Sequence, residues 1–220
     1  MKIPEKVNNY SPDNFQCNTL KNFTNDSTAW IDLILSKTAL IFASIIILAA
    51  VYHLTAEIQQ ADKQRQLDAM AQDFRSAIDS VGQSHYGMAS ANISYFFDTY
   101  DRSGRFTDQL NASVSGEYAG ISYEEDDKLI YAVKPLAYKT LPYNESEIRN
   151  ELLDHFSASG NRTQPIMPPF TYSNVTDLLT SLATKEKNLN TSTKVHIVKS
   201  LIYVVNNSEV RELEYILVYQ

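Results

Sequence analysis

Residues 36–67, SKTALIFASIIILAAVYHLTAEIQQADKQRQL, decide the architecture of this chain, because an apolar half runs into a charged half with no proline or glycine between them. Nineteen residues from Thr38 to Ala56 carry no formal charge at neutral pH. At a rise of about 1.5 Å per residue they reach about 28 Å, close to the hydrocarbon thickness of a bilayer. The stretch therefore predicts one transmembrane helix over residues 33–56.

The residues at the edges of this stretch are those that membrane helices place at the two interfaces. Lys37 lies where its long stem can reach the headgroups, and Trp30 and Tyr52 are placed for the interfacial aromatic belts. A buried helix of a soluble protein would carry a polar stripe, and ALIFASIIILAAV has none. A cleaved signal peptide is the stronger alternative, since small residues follow the apolar core, but the preceding segment is long and mixed in charge. We expect a permanent anchor whose first partner is membrane lipid.

Composition limits what the rest of the chain can be. The 220 residues, with 44% apolar and 20% charged content, allow one ordinary globular domain with appendages. The net charge of -7 comes without a basic stripe that could neutralise a phosphate backbone, so we expect no nucleic-acid partner. Cys17 is the only cysteine, which excludes an intrachain disulfide and a multi-cysteine metal site.

Orientation follows from the sequence after the apolar stretch, because lysine and arginine lie equally close on both of its sides. Seven Asn-X-Ser/Thr acceptors follow it and three, at Asn9, Asn22 and Asn25, precede it. We predict a single-pass protein of the cell membrane, with the amino terminus cytoplasmic and the carboxyl-terminal domain outside. Residues 1–32, which are polar and rich in turn formers, are expected to be a mobile cytoplasmic tail. The seven possible N-glycosylation sites are Asn92, Asn111, Asn144, Asn161, Asn174, Asn190 and Asn206.

The charged half of the opening stretch continues as an amphipathic pattern. Apolar residues recur at alternating spacings of three and four, which predicts a helical stalk over 57–102. Gly82 and Gly87 indicate a kink or an end near 82–87. The apolar stripe packs either on the chain's own head or against other subunits, and the sequence leaves both open. The residues of this packing stripe are Leu67, Met70, Phe74, Ala77 and Val81.

Residues 103–220 change in character and predict an extracytoplasmic α+β head with an antiparallel sheet of at least four strands. Two hairpins and two short helices are expected, with a proline-rich loop between the helices. In chain order these are a hairpin turning at Glu125–Asp127, a helix over Asn144–Ser157, the loop GNRTQPIMPPFTYS, a helix over Val175–Ala183 and a hairpin turning at Asn206–Ser208.

The sequence contains few residue patterns that are typical of catalytic sites. The four histidines are far apart in sequence, and DTYDRSG lacks the residue order of a calcium loop. There is no Gly-x-Ser-x-Gly, no phosphate-binding glycine loop and no His/Cys pair. We therefore predict no catalytic, cofactor-binding or metal site, and no enzyme; a carboxylate-lined or histidine-lined pocket with shifted pKa values would favour the opposite.

The segment LSKTALIFASIIILAAVYHLTAEIQQADKQRQLDAMAQDFRSAIDSV, ahead of a β-rich region, resembles the spine-plus-head plan of archaeal type IV pilin-like proteins. NASVSGEYAGISYEEDDKLIYAV and PFTYSNVT also look like the heads of membrane-anchored archaeal pilin-like proteins of unassigned function. The resemblance implies a role in a surface filament or secretion-type assembly, with homo- or hetero-association with other pilin-like subunits through the amino-terminal helix.

The sequence departs from that pattern in two places. Lys37 is followed by Thr38 where substrates of prepilin peptidase carry glycine or alanine, and the residues around Phe42 are apolar where bacterial pilins carry a glutamate. The alternative is a membrane-anchored extracytoplasmic binding or accessory module that is not part of a filament.

Overall fold

The structure is a computed structural model that describes residues 23–85, 87–88, 91–97, 106, 110–125, 128–206 and 209–220. It is α+β, with a long amino-terminal helix followed by a β-rich domain that holds two shorter helices. The chain divides into two compact units at Gln59–Gln60. Residues 1–22 of the predicted cytoplasmic tail lie outside the described part of the chain.

Helix α1 spans Phe23–Gln83, 61 residues. It begins upstream of residue 33, so residues 23–32, which we assigned to the polar tail, are helical. It ends at the predicted break, and the expectation that the helix resumes beyond it was wrong, because Asn92–Tyr95 forms strand β1. Gly87 takes a left-handed φ of 87°, which a helix does not tolerate, and the isoleucine and tyrosine of β1 favour a strand.

Among the described residues, eight strands form two four-stranded sheets, where we expected one. The first has the order β4-β3-β2-β6 and the second β1-β7-β8-β5. All pairs are antiparallel except β5 and β8, which are parallel. The remaining strands are β2 (Leu110–Val114), β3 (Tyr118–Glu125), β4 (Lys128–Pro135), β5 (Thr140–Leu141), β6 (Lys187–Asn190), β7 (Val195–Asn206) and β8 (Glu209–Tyr219).

Both predicted hairpins are confirmed. Strands β3 and β4 pair in a register that closes at Glu125 and Lys128 around the acidic turn. Strands β7 and β8 pair over eleven positions and close at Asn206 and Glu209. A hairpin needs only neighbouring residues and a turn, so its signal survives in the sequence.

Both predicted short helices are also present. Helix α2 spans Glu145–Phe156 and helix α3 spans Tyr172–Ala183. Each begins with a capping box, in which Asn144 pairs with Glu147 and Thr171 with Asn174. The reciprocal hydrogen bonds satisfy backbone N–H groups that a helix start leaves without partners.

The second sheet separates two hydrophobic cores. The first core contains the distal part of α1, the inner face of the first sheet and Ile216 and Val218 of β8. The second core contains α2, α3 and Leu213, Tyr215 and Leu217 of the same strand. Because successive side chains of a strand point to opposite faces, β8 serves both cores.

Arg149 of α2 forms hydrogen bonds to backbone carbonyls of two other segments beside the second core. Its Nη1 donates to the carbonyls of Ser159 and Gly160 at 3.1 and 3.0 Å, and its Nη2 donates to the carbonyl of Leu201 at 3.1 Å. One planar guanidinium therefore joins α2, the loop that follows it and strand β7.

Candidate membrane helix and head surfaces

The amino-terminal part of α1 is apolar and exposed. Every residue from Trp30 to Ala61 is exposed, and sixteen large apolar side chains between Trp30 and Ile58 are 48–79% exposed. Within the described part of the chain, one helix is long and apolar enough to cross a membrane, judged by its length and composition, and it contains these residues. We call residues 30–59 the apolar segment.

The predicted anchor residues all lie on the surface of the apolar segment. Trp30 is 65% and Tyr52 is 79% exposed, and Lys37 is exposed between them. Two hydroxyl groups of the segment donate back to the helix, from Ser44 to the carbonyl of Leu40 and from Thr55 to that of Val51, both at 2.8 Å. Their polar atoms are satisfied without water, as an apolar surrounding requires.

The packing stripe lies farther along the same helix and is buried. Leu67, Met70, Phe74 and Val81 are fully buried, and Ala77 is half-buried at the margin of the first core. The ring of Phe74 lies 5.1 Å from that of Tyr95 and 5.1 Å from that of Phe97, distances typical of favourable aromatic pairs. The stripe packs on the chain's own head, which was one of the two options that the sequence left open.

Polar contacts join this part of α1 to the β3–β4 hairpin. Lys63 forms an ion pair with Glu125. Gln64 donates to the carbonyl of Tyr131 at 3.0 Å. Lys134 donates to Asp68 at 2.9 Å, so the helix is held at two points along β4 and at one point at the end of β3.

The end of α1 is capped by a lysine from β7. Lys199 is only 7% exposed, and its Nζ donates to the carbonyls of Gly82 and Ser84 at 3.1 and 2.9 Å. Its charge is balanced by Glu214 at 2.9 Å. A cation at the carbonyl end of a helix satisfies groups that the helix leaves without partners and interacts favourably with its dipole.

The possible glycosylation sites are distributed over the head. Asn92, Asn111, Asn174 and Asn190 are exposed, whereas Asn144, Asn161 and Asn206 are half-buried. Asn111 of β2 and Asn190 of β6 lie directly opposite each other in the first sheet. Side chains in that relation are about 5 Å apart at Cβ, so two glycans there would compete for space.

Strand β4 is an edge strand that presents apolar side chains on its outer face. Leu129, Tyr131 and Val133 are 61%, 65% and 50% exposed. We call these three residues the β4 row. Contiguous exposed apolar side chains of this kind mark contact surfaces in many proteins.

Among the described residues, no three His, Cys, Asp or Glu side chains are grouped so that they could hold a metal ion.

Two phenols have raised pKa values. Burial is the main cause at Tyr118, and Glu186 adds to it. Burial, and after it Tyr172, raises the pKa of Tyr215 to about 12. A phenol that is harder to deprotonate is a weaker candidate for a general base at neutral pH.

Sequence reasoning missed Lys199 and Tyr215. A signal for Lys199 was present, because it lies in the apolar run VHIVKSLIYVV, where an inward-facing lysine needs partners. No local pattern marks Tyr215 as a residue that lines a cavity, since the other walls are formed by α3 and by the β2–β3 turn, which are far away in sequence.

No family model, no curated protein and no solved structure matches this chain. The two parts of α1 and the surfaces of the head are the features of this molecule from which its function is inferred.

Proposed function

We propose that this chain is a single-pass membrane protein whose apolar segment anchors an extracytoplasmic α+β head, which acts as a binding or accessory module. One observation carries the proposal: the exposure of α1 changes along its length. The apolar segment is exposed on all its faces, whereas Leu67, Met70, Phe74 and Val81 are enclosed by the head.

The apolar segment requires an apolar surrounding. Moving each large apolar side chain out of water stabilises by roughly 1.5–3 kcal/mol, so the sixteen side chains of the segment together favour such a transfer by more than about 20 kcal/mol. Its apolar side chains face every direction, which suits lipid better than a groove on a soluble partner. As a helix it also satisfies its own backbone groups, the condition for crossing hydrocarbon.

The orientation rests on the acceptors of the head. Four of the seven asparagines are exposed and carry a complete Asn-X-Ser/Thr sequence, at the start of β1, in β2, in α3 and at the end of β6. Such sites are modified only on the lumenal or extracellular side of a membrane. The amino terminus is therefore placed in the cytoplasm in this proposal.

Translation of the full chain with endoplasmic-reticulum microsomes tests both parts of the proposal. We expect the product to stay with the membrane after extraction at alkaline pH, and to gain glycans that are lost when Asn92, Asn111, Asn174 and Asn190 are changed to Gln. Release of the chain by alkali would refute the anchor. Glycans that survive the fourfold change and disappear when Asn9, Asn22 and Asn25 are changed to Gln would reverse the orientation.

A second candidate function is lateral assembly, as the resemblance to pilin-like proteins implies. The β4 row favours it, because this second apolar surface is exposed on the head. Assembly would use the apolar segment or the β4 row, since the packing stripe is already enclosed by its own head.

Cysteine crosslinking in membranes distinguishes the two functions. In a Cys17→Ser background, Ile45→Cys reports contacts of the apolar segment and Tyr131→Cys reports contacts of the β4 row. Met70→Cys is the matched control, because its side chain is fully buried in the head. Crosslinked dimers at Ile45 or Tyr131 without dimers at Met70 would support assembly; monomers at all three positions would support the solitary module.

A further inference from the structure

A cavity of about 200 Å³ opens on the head beside the carboxyl end of α3. One wall is the β2–β3 turn, which includes Ser115 and Gly116, and the opposite wall is formed by Leu179 and Ala183 of α3. The two walls meet where the N–H of Gly116 donates to the carbonyl of Ala183 at 2.7 Å. A Cβ on Gly116 would lie 2.4 Å from the Cβ of Ala183, so only glycine permits this approach.

Tyr215 of β8 lines this cavity and has an unsatisfied hydroxyl group. The residue is 3% exposed, and among the described residues its hydroxyl is the one buried side-chain polar atom without a hydrogen-bond partner. A buried polar atom left in this state costs about 1–3 kcal/mol, so it needs an explanation. A phenol is protonated at neutral pH at its ordinary pKa of about 10, and burial raises the pKa of Tyr215 further, so its hydroxyl is a hydrogen-bond donor.

Several other polar groups around the cavity are occupied or balanced. The hydroxyl of Ser115 accepts from the N–H groups of Glu117 and Tyr118, both at 3.3 Å, and the hydroxyl of Tyr118 donates to Glu186 at 3.2 Å. Lys139 and Glu117 bring one charge of each sign to the exposed rim. The cavity thus has no net charge to attract an ion, and Tyr215 is its unmatched donor.

We propose that this cavity binds a small uncharged molecule with an apolar body and one carbonyl oxygen, which accepts the hydrogen bond of the Tyr215 hydroxyl. The apolar body packs on Leu179 and Ala183, and the carbonyl satisfies the phenol. Ligand sites of this type combine an apolar lining with a few polar groups that fix orientation. The proposal gives a ligand class to the binding module and rests on that function, but it does not depend on how the anchor is oriented.

Acetophenone is a suitable probe, and ethylbenzene is its matched control, because the two share an aromatic body and differ in the carbonyl oxygen. Each is titrated into the full isotope-labelled chain in lipid nanodiscs, and the backbone amide signals of Gly116 and Ala183 are followed by nuclear magnetic resonance. We expect acetophenone to produce saturable shifts at these amides. Ethylbenzene should bind about tenfold more weakly or worse, since a factor of ten corresponds to about 1.4 kcal/mol, the worth of one hydrogen bond.

Two variants separate the hydroxyl group from the cavity. Tyr215→Phe keeps the ring and should weaken acetophenone about tenfold while leaving ethylbenzene unchanged. Thr180→Phe fills the cavity from an exposed position and should abolish binding of both probes, with unchanged signals elsewhere in the head showing that it folds. Equal affinity of wild type and Tyr215→Phe for acetophenone, or no saturable shift in the wild type, would overturn the proposal. Either failure leaves the membrane tests unaffected.

Discussion

Replacing Phe74 by Ala tests whether the distal part of α1 belongs to the core of the head. Phe74 is fully buried in the first core, between the rings of Tyr95 and Phe97. We expect the substitution to destabilise the head strongly, because it removes a large side chain from the place where helix and strand β1 meet.

The magnitude follows from the packing. Substitutions of buried phenylalanine by alanine cost about 3–5 kcal/mol, depending on how well the surroundings collapse into the cavity. Collapse is limited here, because the hydroxyl of Tyr95 donates to Asp73 at 3.0 Å and holds that ring in place. We therefore expect about 4 kcal/mol, a large part of the roughly 5–15 kcal/mol that stabilises a typical domain.

Urea unfolding of the full chain in detergent measures this change. Trp30 lies outside the head, so unfolding is followed by the near-ultraviolet circular dichroism of the tyrosines and by pulse proteolysis. With a slope of about 2 kcal/mol per molar urea, Phe74→Ala should lower the midpoint by roughly 2 M.

Phe42→Ala is the matched control on the same helix, because this phenylalanine of the apolar segment is 62% exposed. Its effect on the unfolding of the head should stay within about 0.5 kcal/mol. If the two substitutions lowered the midpoint equally, or if Phe74→Ala changed stability by less than about 1 kcal/mol, the assignment of the stripe to the head core would be refuted.

Three further predictions concern groups inside the head. Lys199→Met should lower the free energy of unfolding by about 2–4 kcal/mol, because α1 loses its cap. For the same reason it should speed hydrogen exchange of the amides of Val81 and Gln83, and unchanged exchange would contradict the capping role. Arg149→Lys should lower the free energy of unfolding, measured by thermal unfolding, by about 1–3 kcal/mol, since an ammonium cannot reproduce the planar guanidinium that reaches three carbonyls. A change below about 0.5 kcal/mol would argue against that role. Tyr215→Phe should stabilise the unliganded head by about 1 kcal/mol at neutral pH in urea unfolding, because it removes the unsatisfied hydroxyl; destabilisation would mean that the group has a partner. Its pKa of about 12 in the folded head lies above the value of about 10 in the unfolded chain, so wild type should lose stability relative to Tyr215→Phe from about pH 10 to about pH 12, with a constant difference below that range.

Locally encoded features could be predicted from the sequence. The start of α2 at Glu145 follows from a capping box in which Asn144 accepts from the backbone N–H of Glu147 at 2.8 Å, only three residues away. The pairing of β3 with β4 follows in the same way from two runs of β-favouring residues on either side of an acidic segment. Such signals need no knowledge of the rest of the fold.

Features that depend on distant segments could not be predicted. Leu213 and Tyr215 alternate with glutamates along β8, a pattern that favours one buried face, and both side chains are buried in the second core. That pattern gave no reason to bury Ile216 and Val218 on the opposite face of β8. These two side chains lie in the first core, together with the distal part of α1. The division into two sheets was missed for the same cause, since pairings such as β2 with β6 join segments far apart in the chain.

The candidate sites show the same contrast. The apolar segment could be read from composition alone, because length and hydropathy are local properties. The cavity beside Tyr215 arises where a turn, a helix end and a strand approach one another, and no single stretch of sequence contains that pattern.

The most direct test of the anchor is a spin-label scan of residues 40–54 in a lipid bilayer, in a Cys17→Ser background. Each position is labelled in turn, and its relaxation by oxygen, which concentrates in lipid, is compared with relaxation by a water-soluble nickel chelate. If the segment spans the bilayer, we expect high access for oxygen and low access for nickel at every position on all faces of the helix. High access for nickel along the segment would contradict it, because a helix in water has no reason to exclude the chelate.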